Sequence, residues 1–392
     1  MMFLIEKLKG ADAAVNLFFV CLCIVLIYIP TGFEHLKPEG SNYAKAEVTA
    51  VDNSDIKTHL ILKTGTQELE VRLLNGAHKN EVIRVFNALK GKMELDEIYA
   101  KGQNILVEYS VADGKIKTAY SRGVYRIQHE LWLIAFFGLL LIAIGGWTGI
   151  KALLSFFLSA LMLWKVMVPL FLKGYDPILV ALVVVGFLTI AISVMIGGMT
   201  KRGLVTFTGA FLGVVLTCIL AVTLNQSFFV HGAVRPFAET LLYSGFVHLD
   251  ITRIFLAGIF IASSGAVMDL AMDISASMQE VKTNNPDISI KSHISSGMTV
   301  GRAVIGTMTT TLLLAYSGGY MMMMMLFMSQ GVPLVNFFNI NFVAAEVLNT
   351  LVGSFGLVTV APLTALAGGV IYAIKPSVKK EQSTQLSIDI VK

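Results

Sequence analysis

The sequence is organised around ITRIFLAGIFIASSGAVMDLAMDISASMQEV, residues 251–281, and SGMTVGRAVIGTMTTTLLLAYSG, residues 296–318, which a polar loop joins. Asp269 and Asp273 lie in the first of these apolar runs, and Arg302 lies in the second. One such charge at the centre of a bilayer costs about 2.5–3.5 kcal/mol on insertion scales. The depth of these side chains therefore decides whether they predict a functional site, and the rest of the chain sets that depth.

The composition is typical of a membrane protein. Of the 392 residues, 55% are hydrophobic and only 14% are charged, whereas soluble proteins are about 45–50% apolar and about 25% charged. Apolar runs of about 20 residues, long enough to cross a bilayer, recur along most of the chain. The net charge of +4 is attributed to lysines in the loops and not to a surface that binds nucleic acid, so no nucleic-acid partner is expected. The three cysteines lie in apolar runs and indicate no disulfide framework or metal cluster.

Residues 31–128 have a different pattern and predict a small β-rich domain after the first helix. Short runs such as QELEVRLLNG and ILVEYSV alternate as strands do and are separated by Asn, Gly and Asp. The phrase NEVIRVFNALKG, residues 80–91, is interpreted as a helical patch among them. Five or six strands in about ninety residues favour a barrel or sandwich. The turn KGQNILVEY is similar to the loop-to-strand entry of OB-like barrels.

The apolar runs predict a polytopic α-helical membrane protein with about eight transmembrane helices. Seven spans are predicted at Ala13–Ile29, Leu131–Thr148, Ala152–Leu172, Ile178–Gly198, Gly203–Leu224, Ile251–Asp273 and Gly297–Ser317. Lys151 marks a short turn between the second and third. The run from Asn336 to Ile374 is too long for one straight span, so we divide it at Gly353–Gly356. Residues 336–353 then form a re-entrant or interfacial helix, and an eighth span ends at Lys375.

Loop charges predict the orientation and the domain plan. Lysine and arginine at the N-terminus and in the loops at residues 151, 201–202, 282–291 and 375–380 fall on one side, whereas Lys173 and Arg235 fall on the other. We therefore expect a cell-membrane protein with cytoplasmic termini and residues 31–128 outside. The predicted parts are a first helix (1–30), the β-rich domain (31–128), the bundle (129–375) and a cytoplasmic tail (376–392).

Several phrases resemble the YibE/F-like family of bacterial multi-pass membrane proteins. They are KGYDPILVAL, SSGAVMDLAMDISASMQEV, SGMTVGRAVIGTMTTTLLLAYSGG and the long C-terminal apolar run. The resemblance covers nearly the whole chain and implies this topology without naming a substrate. The segment containing TMTTTLLLAYSGG also looks like the intramembrane segments of SecD/SecF and of resistance–nodulation–division permeases, although the span count differs.

Two polar groups are candidate sites. Asp269, Asp273 and Ser277 share one helix face and form a cation or proton relay if they face the bundle interior, or a headgroup contact if the sixth span ends near Met268. Arg302 can pair with Asp269 across the hairpin, and a structural ion pair that holds the two helices together is favoured over chemistry. Gly306 and Thr310 continue its face, which suits close helix packing as well as a pathway. The threonines alternatively bond to their own helix carbonyls.

The second polar group lies near the end of the chain. Glu346, Asn349 and Thr350 share one face, with Glu346 a transport carboxylate if that helix is embedded and a water-facing group if it lies in the interface. No HExxH, GxSxG or P-loop motif occurs, so we expect neither an enzyme nor a cofactor.

The polar groups predict a permease for a small solute or ion in the lipid bilayer, because a mere anchor gains nothing from intramembrane carboxylates. The alternative is an envelope protein in which the outer domain recognises a partner and the bundle anchors it. The glycine phrases GGWTG and GAFLG predict close helix packing, which a homo-oligomer could also use.

Overall fold

The computed structural model describes residues 11–36 and 40–374, without the side chains of residues 11 and 12. The predicted tail, residues 376–392, and the basic residues before position 10 lie outside the described residues. Contacts divide the chain into one unit of residues 30–146 and another that combines residues 1–29 with the residues from 147 onward. Each unit is described by itself.

The unit of residues 30–146 contains a β-barrel-like domain. Its strands are β1 (Ser41–Asp52), β2 (Lys57–His59), β3 (Leu62–Leu73), β4 (Val82–Lys90), β5 (Asn104–Ala112) and β6 (Lys115–Val124). β1 pairs antiparallel with β3 and β5, β3 pairs with β4, and β5 pairs with β6. A parallel contact between β4 and β6, at Phe86 and Tyr120, closes the ring of five strands, while β2 pairs with β3.

Alternation along the strands builds the barrel core. One stretch of each of β1, β3 and β5 buries alternate residues: Ala44, Ala46, Val48, Leu69, Val71, Leu73, Ile105, Val107 and Tyr109. The helical patch predicted at residues 80–91 is wrong, because residues 82–90 form β4. Val82, Phe86 and Leu89 have helix-like spacing. However, nine residues of this segment pair with β3, and in the resulting strand Val85 and Leu89 are buried on one face.

The remaining described elements are helical. They are two 3-10 helices (Glu34–Leu36 and Gly232–Val234), α1 (Ala11–Tyr28), α2 (Ile127–Leu161), a π-helical segment (Met162–Met167), α3 (Val168–Leu172), α4 (Pro177–Gly197), α5 (Lys201–Phe228), α6 (Ala238–Tyr243), α7 (Ile251–Asn284), α8 (Ile290–Ser329), α9 (Leu334–Asn339) and α10 (Asn341–Ala373). Short polar side chains begin four of them, because an oxygen just before the first turn accepts from otherwise unpaired backbone N–H groups. Asp176, Thr200, Asp250 and Ser289 do so for α4, α5, α7 and α8.

Six helices in the described part of the chain are long and apolar enough to cross a membrane, and Ala13–Tyr28 is a shorter apolar helix. The predicted count of about eight is not confirmed, because the predicted second and third spans lie in one helical run of 46 residues, Ile127–Leu172. The turn predicted at Lys151 is wrong, since this residue is buried within α2. The break in helical geometry is at Gly146, whose φ of 54° suits glycine.

The division predicted at Gly353–Gly356 is also wrong, because α10 runs unbroken through both glycines. The chain instead breaks at Ile340, between α9 and α10. Gly356 is a packing site: a Cβ there would overlap the Thr217 hydroxyl of α5. A reciprocal contact sets Gly209 of α5 against Thr364 of α10, so small residues bring these two helices close together.

The core of the helical unit lies around α10, which packs against α5, α7 and α8. Phe260, Ile274, Leu348 and Leu357 are among its fully buried side chains. The two glycines of the phrase GAFLG, Gly209 and Gly213, pack here within one chain.

Candidate functional site: polar positions of the helical bundle

The predicted polar positions form two separate groups. α7 and α10 begin at the same end of the bundle, since Ile251 and Asn349 line one cavity there. Asp269 lies eighteen residues into α7 and Glu346 five residues into α10. At 1.5 Å per residue the two carboxylates are about 20 Å apart along the helix axes. They therefore do not form one site.

The expected pair between Asp269 and Arg302 is not formed, and both side chains are exposed. Neither has an ion-pair partner within 4.0 Å among the described residues. The pair does not form because α8 packs against α7 and α10 through a different face from the one that carries Arg302. Gly301 of α8 packs against Ile274 of α7 and Ala361 of α10, and Arg302, one residue further on, points about 100° away from that contact. Asp273 is also exposed.

The threonine hydroxyl groups on α8 donate hydrogen bonds to backbone carbonyls of the same helix. The Thr309 hydroxyl donates to the Ile305 carbonyl at 2.8 Å, Thr311 donates to Thr307 at 3.0 Å, and Thr310 donates to Gly306 at 3.4 Å. Such backward bonds satisfy a hydroxyl without a ligand. Thr310 is exposed and lies on the same side of α8 as Gly306.

Glu346 has a partner that the sequence reasoning missed. Nη1 of Arg235 donates to Oε1 of Glu346 at 2.6 Å, and the Asn349 amide lies 3.4 Å from the other carboxylate oxygen. The Glu346 side chain is 19% exposed and the Arg235 side chain 39% exposed. The guanidinium also lies 5.1 Å from the centroid of the Phe255 ring, a cation–π distance. The feature of the sequence that could have indicated this partner is Arg235 itself, an arginine in the loop that precedes α7.

Two cavities meet at this ion pair. One, of about 470 Å³, is lined by Arg235 and Asn349 among mostly apolar side chains, including Phe255 and Ile254. The other, of about 410 Å³, is lined by Glu346 and Thr350 with residues of α8 and α9. Thus Arg235 faces one cavity and Glu346 faces the other. Thr350 is buried, and its hydroxyl oxygen has no hydrogen-bond partner among the residues that the structure describes.

Further polar contacts fasten the same end of the bundle. Arg253 of α7 pairs with Asp176, which also begins α4 by accepting from the Ile178 and Leu179 amides at 3.0 Å. His231 lies 2.9 Å from the Asn341 amide, at the start of α10. Of these contacts, the one between His231 and Asn341 joins the loop that carries Arg235 to the start of α10, the helix that carries Glu346.

The opposite end is held by buried hydroxyl and backbone contacts. The Tyr372 hydroxyl donates to the Ser275 carbonyl at 2.9 Å, and the Ser275 and Thr206 hydroxyls lie 2.7 Å apart. The His293 ring contacts the Met278 carbonyl at 2.8 Å. Lys201 donates to the carbonyl of Ile374. These contacts join α5, α7, α8 and α10.

Lys165 lies in the π-helical segment and is also satisfied within the chain. Its ammonium donates to the Ile29 carbonyl at 3.0 Å, just after the end of α1. A cation near the carboxyl end of a helix interacts favourably with the unpaired carbonyls there. Among the described residues no three His, Cys, Asp or Glu side chains lie together as metal ligands would.

The barrel has a polar cavity of its own, of about 490 Å³, against β4 and β6. Its lining includes Asn87, Glu97, Tyr120 and Arg126. Burial alone would raise the pKa of Glu97, but the Arg126 guanidinium and the Val124 amide outweigh it and lower the pKa of that carboxyl. Glu97 is therefore a carboxylate at neutral pH.

Two family models match most of the chain. One, described as YibE/F-like protein, matches residues 133–374. The other, described as YibE/F family N-terminal domain, matches residues 41–124. The first covers every polar position of the bundle described above, and the second covers β1 to β6. No curated protein and no solved structure matches the chain.

Proposed function

Because the chain belongs to the YibE/F-like family and carries six helices of membrane-spanning length and composition, we propose that this membrane protein is a permease for a small solute or ion. The observation that supports the proposal is the pair of Arg235 and Glu346 where two cavities meet. An anchor has no use for polar groups that line cavities, whereas a passage needs them.

The pair acts as a closed contact between the two cavities. Arg235 has five N–H donors, and the Glu346 carboxylate occupies only part of them. A solute with a polar group enters the cavity beside Asn349 and Phe255 and competes for the guanidinium. The ion pair then opens, and the solute gains access to the cavity beside Thr350.

In the proposed topology both termini are cytoplasmic, residues 31–128 are outside the cell membrane, and the end of the bundle that carries Arg235 faces outward. The three basic residues at this end, Lys173, Arg235 and Arg253, are fewer than the four at positions 201, 202, 282 and 291 of the other end. The eight-span path requires that α1 crosses once and that Ile127–Leu172 crosses twice, on either side of Gly146. The strand order with a parallel closing pair supports an OB-like barrel for the outer domain.

The test compares a deletion strain with strains that carry single variants. Metabolite and metal contents of the deletion strain against wild type identify what the protein moves. Arg235→Gln and Glu346→Gln are then expected to restore little of the wild-type profile while the protein is present in the membrane.

A matched control is Arg253→Gln, which also removes an arginine paired with a carboxylate but does not line either cavity. It is expected to restore the profile. If Arg235→Gln and Glu346→Gln restore the profile as fully as wild type at equal abundance, the permease site is placed wrongly.

The recognition function is a second candidate, favoured by the polar cavity of the barrel. Tyr120 is 47% exposed and lines that cavity, and an exposed aromatic ring is a common contact for a partner. In this case Tyr120→Ala reproduces the deletion profile, whereas Glu346→Gln leaves it unchanged. The permease proposal predicts the opposite ranking of these two variants.

A further inference from the structure

The exposed charges on α7 and α8 lie on helix faces that the other described residues of the helical unit leave exposed. One end of the α7 face, at Gly258 and Ala262, also borders the cavity of about 470 Å³. On α7 this face consists of Gly258, Ala262, Gly265, Asp269 and Asp273, and on α8 it consists of Arg302, Ala303, Gly306, Thr307 and Thr310; we call them the acidic face and the basic face. Every one of these residues is exposed. The two faces are separate, because α7 contacts α8 through Ile274 and Met278, on its other side.

The glycines of the two faces have no close neighbour among the described residues. A Cβ added at Gly258, Gly265 or Gly306 would meet no atom within 4 Å. By contrast, Gly297 and Gly301 of the same α8 are closely packed. Small residues on an open face allow another helix to approach closely.

The charges of the two faces lie at matching heights. α7 ends at Asn284 and α8 begins at Ile290, so the hairpin between them gives a common origin. At 1.5 Å per residue, Asp273 lies about 17 Å and Asp269 about 23 Å from that origin, while Arg302 lies about 18 Å from it. Two copies in one bilayer share these heights, which brings Arg302 of one copy level with the carboxylates of the next.

Hydrocarbon would leave these charges without partners. α7 begins at Ile251, and about 20 helical residues cross the apolar core, so Asp269 lies in the last turn inside it. An Asp side chain is too short to reach far along the helix, and ionisable residues at such positions normally face protein or pair with one another. Within the described residues Asp269, Asp273 and Arg302 have no ion-pair partner.

We propose that the protein assembles with itself, the acidic face of one copy packing against the basic face of the next so that Arg302 pairs with Asp269 or Asp273 across the interface. The interface is heterologous, because it joins two different surfaces, and repetition of one such contact closes a ring or continues as an open row. The ion pair expected within the chain is thereby formed between chains.

The first test joins two differently tagged copies, with Cys21, Cys23 and Cys218 replaced by serine in both. One copy carries Gly265→Cys and the other Gly306→Cys; their heights differ by less than one helical turn. Mild oxidation of membranes should give a product that contains both tags. The matched control replaces Gly265→Cys by Ile190→Cys, which is 45% exposed at a similar depth on α4, and should give none.

The second test reverses the charges. In copies that carry Asp269→Arg, an arginine on each face meets at the interface, and in copies that carry Arg302→Asp, acidic residues on both faces meet there. When either variant is expressed alone under two different tags, co-purification of one tag with the other should therefore fall by at least tenfold. Together they restore complementary interfaces, and the two tags should co-purify. If neither variant accumulates alone but both accumulate when co-expressed, the same conclusion follows.

Three results overturn the proposal. The first is the absence of any product with both tags in the cross-linking experiment. The second is an equally abundant product from Ile190→Cys, which would indicate random collision. The third is co-purification that the charge-reversed copies, expressed together, do not restore.

Discussion

Gly356→Ala tests the close contact between α5 and α10. The new methyl group would overlap the Thr217 hydroxyl oxygen and lie 3.1 Å from Thr217 Cβ. Thr217 is fully buried, and its hydroxyl also donates to the Gly213 carbonyl at 2.8 Å. Neither helix can give way easily, because α10 packs against α5, α7 and α8 together.

The magnitude follows from two opposed effects. Forcing one extra methyl group into a packed core costs about 1–3 kcal/mol, whereas replacing glycine by alanine within a helix gains about 0.5–1 kcal/mol. Gly318→Ala is the matched control, because a Cβ there meets nothing within 4 Å and only the gain applies. The two variants should therefore differ by about 2 kcal/mol, with Gly356→Ala the less stable.

The assay is thermal unfolding of the purified protein in detergent, read from the fraction that stays monodisperse after heating. Gly356→Ala should unfold several degrees below Gly318→Ala, since 1 kcal/mol shifts the midpoint by about 2–4 °C in a domain of this size. Adding Thr217→Ala makes room and should restore part of the loss, so the two substitutions should couple by about 1 kcal/mol. Equal midpoints for Gly356→Ala and Gly318→Ala would show that Gly356 is not a packing site.

Three further predictions concern the barrel and the topology. A fragment of residues 41–126 should fold alone, because its core is closed by its own strands; circular dichroism of an unfolded chain would contradict this. The Ser41 hydroxyl, followed by Arg122, lowers the pKa of Glu108 against the effect of burial, so this carboxylate stabilises the folded fragment above its unfolded pKa, about 4.3, and the contribution is lost as the pH falls below it. The urea midpoint should therefore fall between about pH 5 and pH 3, and by less in Glu108→Gln. A reporter fused after Lys380 should be active only in the cytoplasm, and one inserted within residues 31–128 only outside; opposite activities would reverse the proposed orientation.

The sequence by itself determined the class of the protein and which regions of it contain long apolar helices. Apolar composition and run length predict membrane helices because hydrocarbon requires about 20 apolar residues in succession. Phrases around Asp269 and Arg302 were enough to indicate the YibE/F-like family, which the family models then showed. Strand alternation likewise predicted the β-rich domain, since each strand buries every second residue.

Local sequence could not determine the features that depend on partners distant in the chain. The residues from Val82 to Lys90 have helix-like spacing and still form a strand, because β3 pairs with all of them. Gly353 and Gly356 suggested a break, but α10 continues because Thr217 lies against Gly356. Glycine next to a close neighbour and glycine at a turn look the same in a sequence.

The same distinction explains the candidate sites. The sequence identified the ionisable residues Asp269, Asp273, Arg302 and Glu346 in or beside the apolar runs, because each is costly in hydrocarbon. It could not assign their partners: Glu346 pairs with Arg235, a residue 111 positions away, and Asp269 does not pair with Arg302 of its own chain. Which way a helix face turns is set by packing against α5, α7 and α10, and one residue changes that direction by about 100°. Only the tertiary structure decides it.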